Sequence, residues 1–431
     1  MRVFQPQCTL PEEGPAFIQQ PNVRSTMDIV WSSLSIIFLC TWSITHLNVP
    51  PQLRPLPPAK SFWEECRRGF FEAWYLFRKR TMWMLFNIMI PEYFLGKALV
   101  EFLGARELTK KMAEFQSGEK HDDEITWTAT HTHLANMGGV FVHHDNDDYT
   151  LDHRAARALA GDVWVLSASQ LLEARKFGIV KKLPNISQAQ IGDKNKGDGV
   201  VKFLAVLQVL WLTVQLLIRT SIGLQSSQLE ITALAFAVCA FVTYLLLYSR
   251  PKDVQTPAIV RAQRDASYEE FATLVKLSHP VDGFGTTQVA YTMPTTAMPY
   301  APHSSGKYRN IQTYGVFGGL IVFGAIHLIA WNLEFPNETE RWAWRISALL
   351  VTVVPLLVAP LNADRVDEKW AAKSRTNSVI YTFYVIVAAI MVYLVFPAAR
   401  LYLLVEAFRS TYYLTPSTYA ATWASNIPHF G

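Results

Sequence analysis

Six long stretches without a formal charge divide this chain: Ile29–Leu47, Phe203–Ile218, Ile231–Ser249, Ile311–Leu333, Ile346–Ala363 and Asn377–Ala399. Each approaches the ~20 apolar residues that a bilayer core requires. A segment in lipid must satisfy its own backbone. That leaves helices, because the strands of a barrel would be about half as long and alternate in polarity. The alternative, a soluble protein with six buried core helices, would be exceptional. The expected fold is an all-α membrane protein: about six transmembrane helices, a partly helical cytosolic domain, and one interfacial or re-entrant segment.

Charge orients these spans. Asn48–Gly199 holds 20 Lys and Arg, Pro251–Asn310 with Arg250 holds 7, and Asp364–Thr376 holds 4. The N-terminal tail, Thr220–Glu230, Glu334–Arg345 and the C-terminal tail together hold 6. Basic loops stay on the cytosolic side, so both termini are expected to be non-cytosolic, in the plasma membrane or an endomembrane. The N-terminus lacks the basic, apolar and small-residue order of a cleaved signal, and the first span is expected to act as a signal-anchor. Asn337-Glu338-Thr339 is a glycosylation triplet on the predicted outer side, which would make the protein a glycoprotein. Asn185-Ile186-Ser187 is a second triplet, on the cytosolic side, where it would go unused.

The resulting organisation is an outer tail (1–28), span one (29–47), a cytosolic domain (48–199), spans two and three (200–249), a second cytosolic segment (250–310), spans four to six (311–399) and an outer tail (400–431). Within the cytosolic domain, Thr81–Leu103 is apolar but interrupted by Pro91, Glu92 and Lys97. One full crossing there would invert every later loop, so a re-entrant or interfacial segment is preferred. The preceding Ser61–Arg80 mixes Trp63, Phe70, Phe71, Trp74, Tyr75 and Phe77 with Arg67, Arg68, Arg78, Lys79 and Arg80. Rings and cations together suit the headgroup layer and anionic lipid headgroups; an amphipathic helix packed on the cytosolic domain is the other reading. Helices are also expected at Lys97–Gln116, Asp152–Phe177 and Ala258–Leu277, while Trp127–Leu134 is helical or extended.

The net charge of +4 gives no reason for a nucleic-acid partner. Cysteines at 8, 40, 66 and 239 form neither a disulfide framework nor zinc spacing. Asn195-Lys196-Gly197-Asp198 imitates a guanine-reading element, but no phosphate loop accompanies it, and the lysines and aspartates there mark a membrane boundary instead.

Ile36–Pro50, Asn136-Met137-Gly138-Gly139, Asp193–Asp198 and Arg250-Pro251-Lys252-Asp253-Val254 occur in that order. As a set they resemble a large group of uncharacterised fungal multi-pass membrane proteins. The resemblance covers most of the chain and implies membrane integration, with no activity to carry over.

Three groups of residues are candidate sites. Gln208, Gln215 and Arg219, with Lys202, fall on one side of span two, and Glu230 opens span three; intramembrane polar groups commonly face a bundle interior or a polar path. The bland reading is snorkelling at the ends and helix-to-helix hydrogen bonds. His131, His133, His143, His144 and Asp145 offer ligands for a divalent transition metal, with His131 and His133 on one face if the segment is a strand; a solvated polar turn is the alternative. Gly315 and Gly319 make a GxxxG step suited to close helix packing. Pro355 and Pro360 lie in span five. His46 and His327 read as packed or interfacial histidines.

No catalytic motif is present, so the activity is read from topology. The adopted reading is a transport or channel-like protein with a polar path. The alternative is a membrane-associated enzyme acting on a lipophilic substrate, as in isoprenoid or secondary metabolism, or a scaffold without a site.

Overall fold

The computed structural model describes residues 23–50, 61–118, 123–143, 163–194, 199–277, 305–358 and 375–422. The chain is mostly helical. Helix α1 (Thr26–Ser43) starts at a capping box in which Ser25 and Asp28 satisfy each other's backbone amides. Helices α2 (Phe62–Met89) and α3 (Pro91–Gly118) follow, separated by Ile90 alone. Ile90 has φ −143° and ψ 70°, and Pro91 lacks the N–H that would continue the helix. The apolar Thr81–Leu103 is therefore the two arms of a hairpin rather than one segment.

Helices α7 (Gly199–Ser221) and α8 (Gln228–Leu246) form the next pair. Ser227 and Glu230 cap α8 with a second reciprocal box. Helix α10 (Ser305–His327) continues as a 3-10 turn, Leu328–Asn332, and is followed by α11 (Glu338–Val358), which holds Pro355 inside the helix. Pro360 lies outside the described residues. Helix α12 (Arg375–Ile390), a π turn (Met391–Val395) and α13 (Phe396–Arg409) make one apolar rod.

Among the described residues, four helical stretches are long and apolar enough to cross a membrane: Thr26–Ser43, Gln228–Leu246, Asn310–Asn332 and Val379–Tyr413. Val206–Ser221 is apolar but shorter. The fifth expected segment is described only to Val358, and the helix that carries it, α11, begins with the polar turn Glu338–Arg341.

The bundle core joins Ile36, Ile37 and Cys40 of α1, Leu212 and Leu216 of α7, Leu229 to Ala240 of α8, Phe323 of α10, Trp344 and Val351 of α11 and Leu403 of α13. A second core lies under a small sheet of strands β1 (Val140–His143), β2 (Val163–Val165) and β3 (Ala258–Arg261). The strand order is β2-β1-β3, with β1 antiparallel to β2 and parallel to β3. This sheet revises two helical expectations. Val163-Trp164-Val165 pairs as a strand, and the helix expected over Asp152–Phe177 is, among the described residues, α5 (Ala168–Lys176), started by the Ser167 cap. Ala258–Arg261 likewise pairs with β1, and α9 begins only at Tyr268 (to Leu277), where Ser267 and Glu270 form the cap. In both places β-branched and aromatic residues favour the pleated surface. Trp127–Leu134 enters α4 (Ala129–Asn136), and a short helix α6 (Gln188–Lys194) follows α5.

Helix α3 runs from the bundle to the core beneath the sheet. Its first half packs antiparallel to α10: a Cβ on Gly96 would lie 2.5 Å from Val316 Cγ2 and 2.7 Å from the Gln312 carbonyl, one on Gly315 would lie 2.8 Å from Gly96 Cα, and one on Gly319 would meet Leu95 and Glu92. Its second half supplies Val100, Ala105, Leu108 and Met112 to the core beneath the sheet. The expected helix Lys97–Gln116 is thus the outer part of a longer spine.

Candidate functional site

The hairpin turn between α2 and α3 places a carboxylate inside the bundle. Glu92 is 0 % exposed and Arg400 of α13 is 7 % exposed. Arg400 Nη1 donates to Glu92 Oε1 at 2.5 Å, and its guanidinium lies 3.7 Å from the centre of the Phe323 ring. Among the described residues, Glu92 Oε2 and Arg400 Nη2 have no hydrogen-bond partner. Arg400 also lines a cavity of about 10 Å³ with Ile88, Met89, Thr232, Phe236, Phe323 and His327, which is the space one water requires. His327 Nδ1 donates to the Phe323 carbonyl at 2.7 Å, and Nε2 faces the Thr232 hydroxyl at 3.4 Å. The expectation of a packed His327 covers its burial, not its place beside the ion pair. The signal in the sequence is simple: Glu92 and Arg400 are ionisable residues inside or at the end of apolar stretches.

The residues of the expected polar path are distributed differently. Arg219, 1 % exposed, closes α7. It donates to the Gln225 carbonyl through Nε and Nη2, to the Ala420 carbonyl through Nη1, and to the Ser417 and Thr418 carbonyls through Nη2, at 2.6–3.1 Å. Glu230 instead takes a 2.6 Å bond from Arg24, and Arg24 also donates to the Thr418 carbonyl. Arg219 and Glu230 therefore share one cluster without a direct bond between them. Val23 bridges Ala420 across the same cluster, so the two ends of the described chain meet there. Gln208 and Gln215 are half-buried on α7 and do not line the cavity at Arg400.

His131 and His133 do not share a face. Both lie on helix α4, where a spacing of two residues turns them away from each other; of the two forms open to this segment it takes the helical one, not the strand on which they would share a face. His131 bonds the Ile186 carbonyl through Nε2 at 2.8 Å and Thr128 through Nδ1 at 2.7 Å. Burial lowers its proton affinity, opposed by the Ile186 bond. Burial pushes His133 down to about 4, against the attraction of Glu101 and with the repulsion of Arg250. His143 ends β1, and His144 and Asp145 lie outside the described residues. Among the described residues no three His, Cys, Asp or Glu side chains converge on a metal position.

The segments that carry the resemblance meet at the join between the two cores. Arg250 donates to Glu101 and, at 2.7 Å, to Asn48 Oδ1. Lys252 caps α1 through the Ser43 carbonyl at 2.7 Å. Val49 N–H donates to the Met137 carbonyl, Ala168 N–H to Asn136 Oδ1, and Lys194 to the Thr256 carbonyl. Asp253, at φ 55°, pairs with Arg80 at 2.8 Å. Residues without recognisable chemistry in the sequence thus form the polar lock between bundle and sheet. Asn195–Asp198 lies outside the described residues. Asn337 is exposed and caps α11 through Glu340, while Asn185 donates to Glu124. Cys40 and Cys239 are buried thiols, Cys66 is an exposed one, and Cys8 lies outside the described residues.

Apolar helices of membrane-crossing length, with a buried ion pair at the α2–α3 turn, are compatible with a membrane protein. The profile of a family of unknown function (DUF8562) matches residues 3–313, well over half of the chain, and the protein belongs to that family. No curated protein and no solved structure matches it.

Proposed function

We propose that the chain is an integral membrane protein of six spans plus a re-entrant hairpin, of the group of fungal multi-pass proteins that its motifs resemble, with both termini non-cytosolic and a transport-type site at the hairpin tip. The observation that carries the reading is the buried, half-satisfied Glu92–Arg400 pair beside the His327 cavity. Broken helices at membrane depth are tolerated where protein buries them, and ionisable groups there commonly mark a translocation path. The pair is level with the middle of its neighbours: Glu92 sits against Gly319 of α10, roughly halfway between Ser305 and Asn332. The polar path is thereby moved from α7 to the α2–α3 turn. A cavity of one water's size corresponds to a closed state.

The enzyme reading expects aromatic rings to meet the His/Asp cluster. His131 has both ring nitrogens engaged in structural bonds, so the transport reading is preferred. The test is flux into liposomes carrying the purified full chain, with an internal pH dye for protons and a chloride-sensitive dye for a small anion. Flux of either ion above that of empty vesicles, lost in Glu92→Gln with folding retained, supports the reading. Flux equal to empty vesicles for both ions, and the same in Glu92→Gln, would overturn it.

A further inference from the structure

The first half of α2 presents rings that nothing in the described structure covers. Trp63, Phe70, Trp74 and Phe77 are 79 %, 64 %, 54 % and 52 % exposed. At 100° per residue they form one stripe, with Cys66 and Ala73 along one edge and Arg67, Phe71 and Arg78 along the other. Glu65, Glu72 and Lys79 fall on the opposite side. Of the whole helix only Met84 and Asn87, both in the second half, are buried.

The two halves join at Arg80, which stacks over Trp42 at 4.4 Å and pairs with Asp253. Trp42 and Asp253 both neighbour the carbonyl-capping Lys252 at the inner end of α1, so the exposed half leaves the bundle at the level where the apolar helices end. A contiguous aromatic stripe in water is unfavourable. Its edge cations give it a preference among apolar partners. Arg68 is paired with Glu64 and Arg80 with Asp253; Arg67 and Arg78 are exposed, and Glu64, the acid one turn before Arg67, is taken up by Arg68.

We infer that the stripe Trp63–Phe70–Trp74–Phe77, flanked by Arg67 and Arg78, lies in the headgroup layer and binds anionic lipid. Rings at this depth bury apolar area while guanidinium groups meet lipid phosphate and carboxylate. The leaflet, but not the contact, rests on the topology proposed above, and the inference is independent of the transport reading.

The experiment uses the full chain with Cys8→Ser and Cys66→Ser, leaving the buried Cys40 and Cys239 in place. A nitroxide is attached at Phe70→Cys or at Glu72→Cys, two positions about 160° apart around the helix. The protein is placed in vesicles of phosphatidylcholine alone or with one third phosphatidylserine. The expected result is a label at 70 that is reached by oxygen and shielded from a water-soluble nickel complex, and a label at 72 reached by nickel. Phosphatidylserine should raise the oxygen-to-nickel ratio at 70 several-fold, and Arg67→Gln with Arg78→Gln should remove that rise. Equal nickel access at both positions would overturn the inference. So would shielding of position 70 from both reagents, which marks a protein cover. A ratio at 70 that ignores phosphatidylserine would overturn the anionic preference.

Discussion

Arg400 reaches Glu92 across 308 residues of sequence and bonds it at 2.5 Å, with neither side chain more than 8 % exposed. Losing one member of a buried pair leaves the other charged and unpartnered, which costs ~3–5 kcal/mol. Arg400→Leu should therefore lower the unfolding midpoint of the detergent-solubilised protein sharply. Glu92→Leu combined with Arg400→Leu should recover much of the loss. Additive losses in the double variant would show that the two side chains act separately.

The cluster at the ends of α7 and α8 gives a second coupling. Glu230 bonds Arg24, whereas Arg219 bonds carbonyls. A double-mutant cycle of Arg24→Gln with Glu230→Gln should give a coupling of ~1–3 kcal/mol, larger than the cycle of Arg219→Gln with Glu230→Gln. Arg219→Gln alone should still cost at least ~2 kcal/mol, because several buried carbonyls lose their donor. A larger Arg219–Glu230 coupling would contradict the observed bonding.

Close approach of α3 and α10 is tested at glycine. Gly96→Ala places a methyl against Val316 and a backbone carbonyl and should cost ~1–3 kcal/mol by overpacking. Gly318→Ala meets nothing within 4 Å and should be neutral or stabilise by up to ~1 kcal/mol through helix propensity. Equal melting shifts for the two would mean that α3 and α10 are not in contact.

His133 supplies a pH dependence. Its folded-state value of about 4 lies below the ordinary 6.5 because burial disfavours the cation. The unfolded chain then binds more protons than the folded one between these values, so stability falls as pH drops from about 6.5 to about 4. The full loss is ~3 kcal/mol. Glu101 and Arg250 are the charges facing it. His133→Gln, which cannot titrate, should flatten the melting temperature over that pH window relative to the parent chain. Parallel curves would remove His133 from the account.

The sequence made the apolar helices legible because absence of charge over a long run needs no tertiary knowledge. The break at Ile90–Pro91 was visible in Pro91 and Glu92, but not the return path, since Gly96 meets Val316 only through folding. The sheet was hidden because three- and four-residue strands carry too little periodicity to be separated from helix by pattern. The Arg219–Glu230 neighbourhood followed from adjacency on a short loop. Arg24 and the 415–420 carbonyls could not be foreseen, since they come from the far ends of the chain. The Arg250-Pro251-Lys252-Asp253-Val254 segment stood out in the sequence, and its meaning as a lock required Asn48, Glu101 and the end of α1 to be placed around it.

The most direct test of the account is the sidedness of the chain around the α2–α3 hairpin. One epitope is inserted at positions 119–122 and another at the C-terminus, and protease access is measured in sealed vesicles of known orientation. The account predicts opposite sides: the 119–122 epitope cytosolic and the C-terminus non-cytosolic. Both epitopes on the same side would mean that a later helix does not cross, and a non-cytosolic 119–122 epitope with a cytosolic C-terminus would mean that Thr81–Leu103 crosses the membrane once. The re-entrant hairpin, and with it the mid-membrane placement of Glu92 and Arg400, would then be wrong.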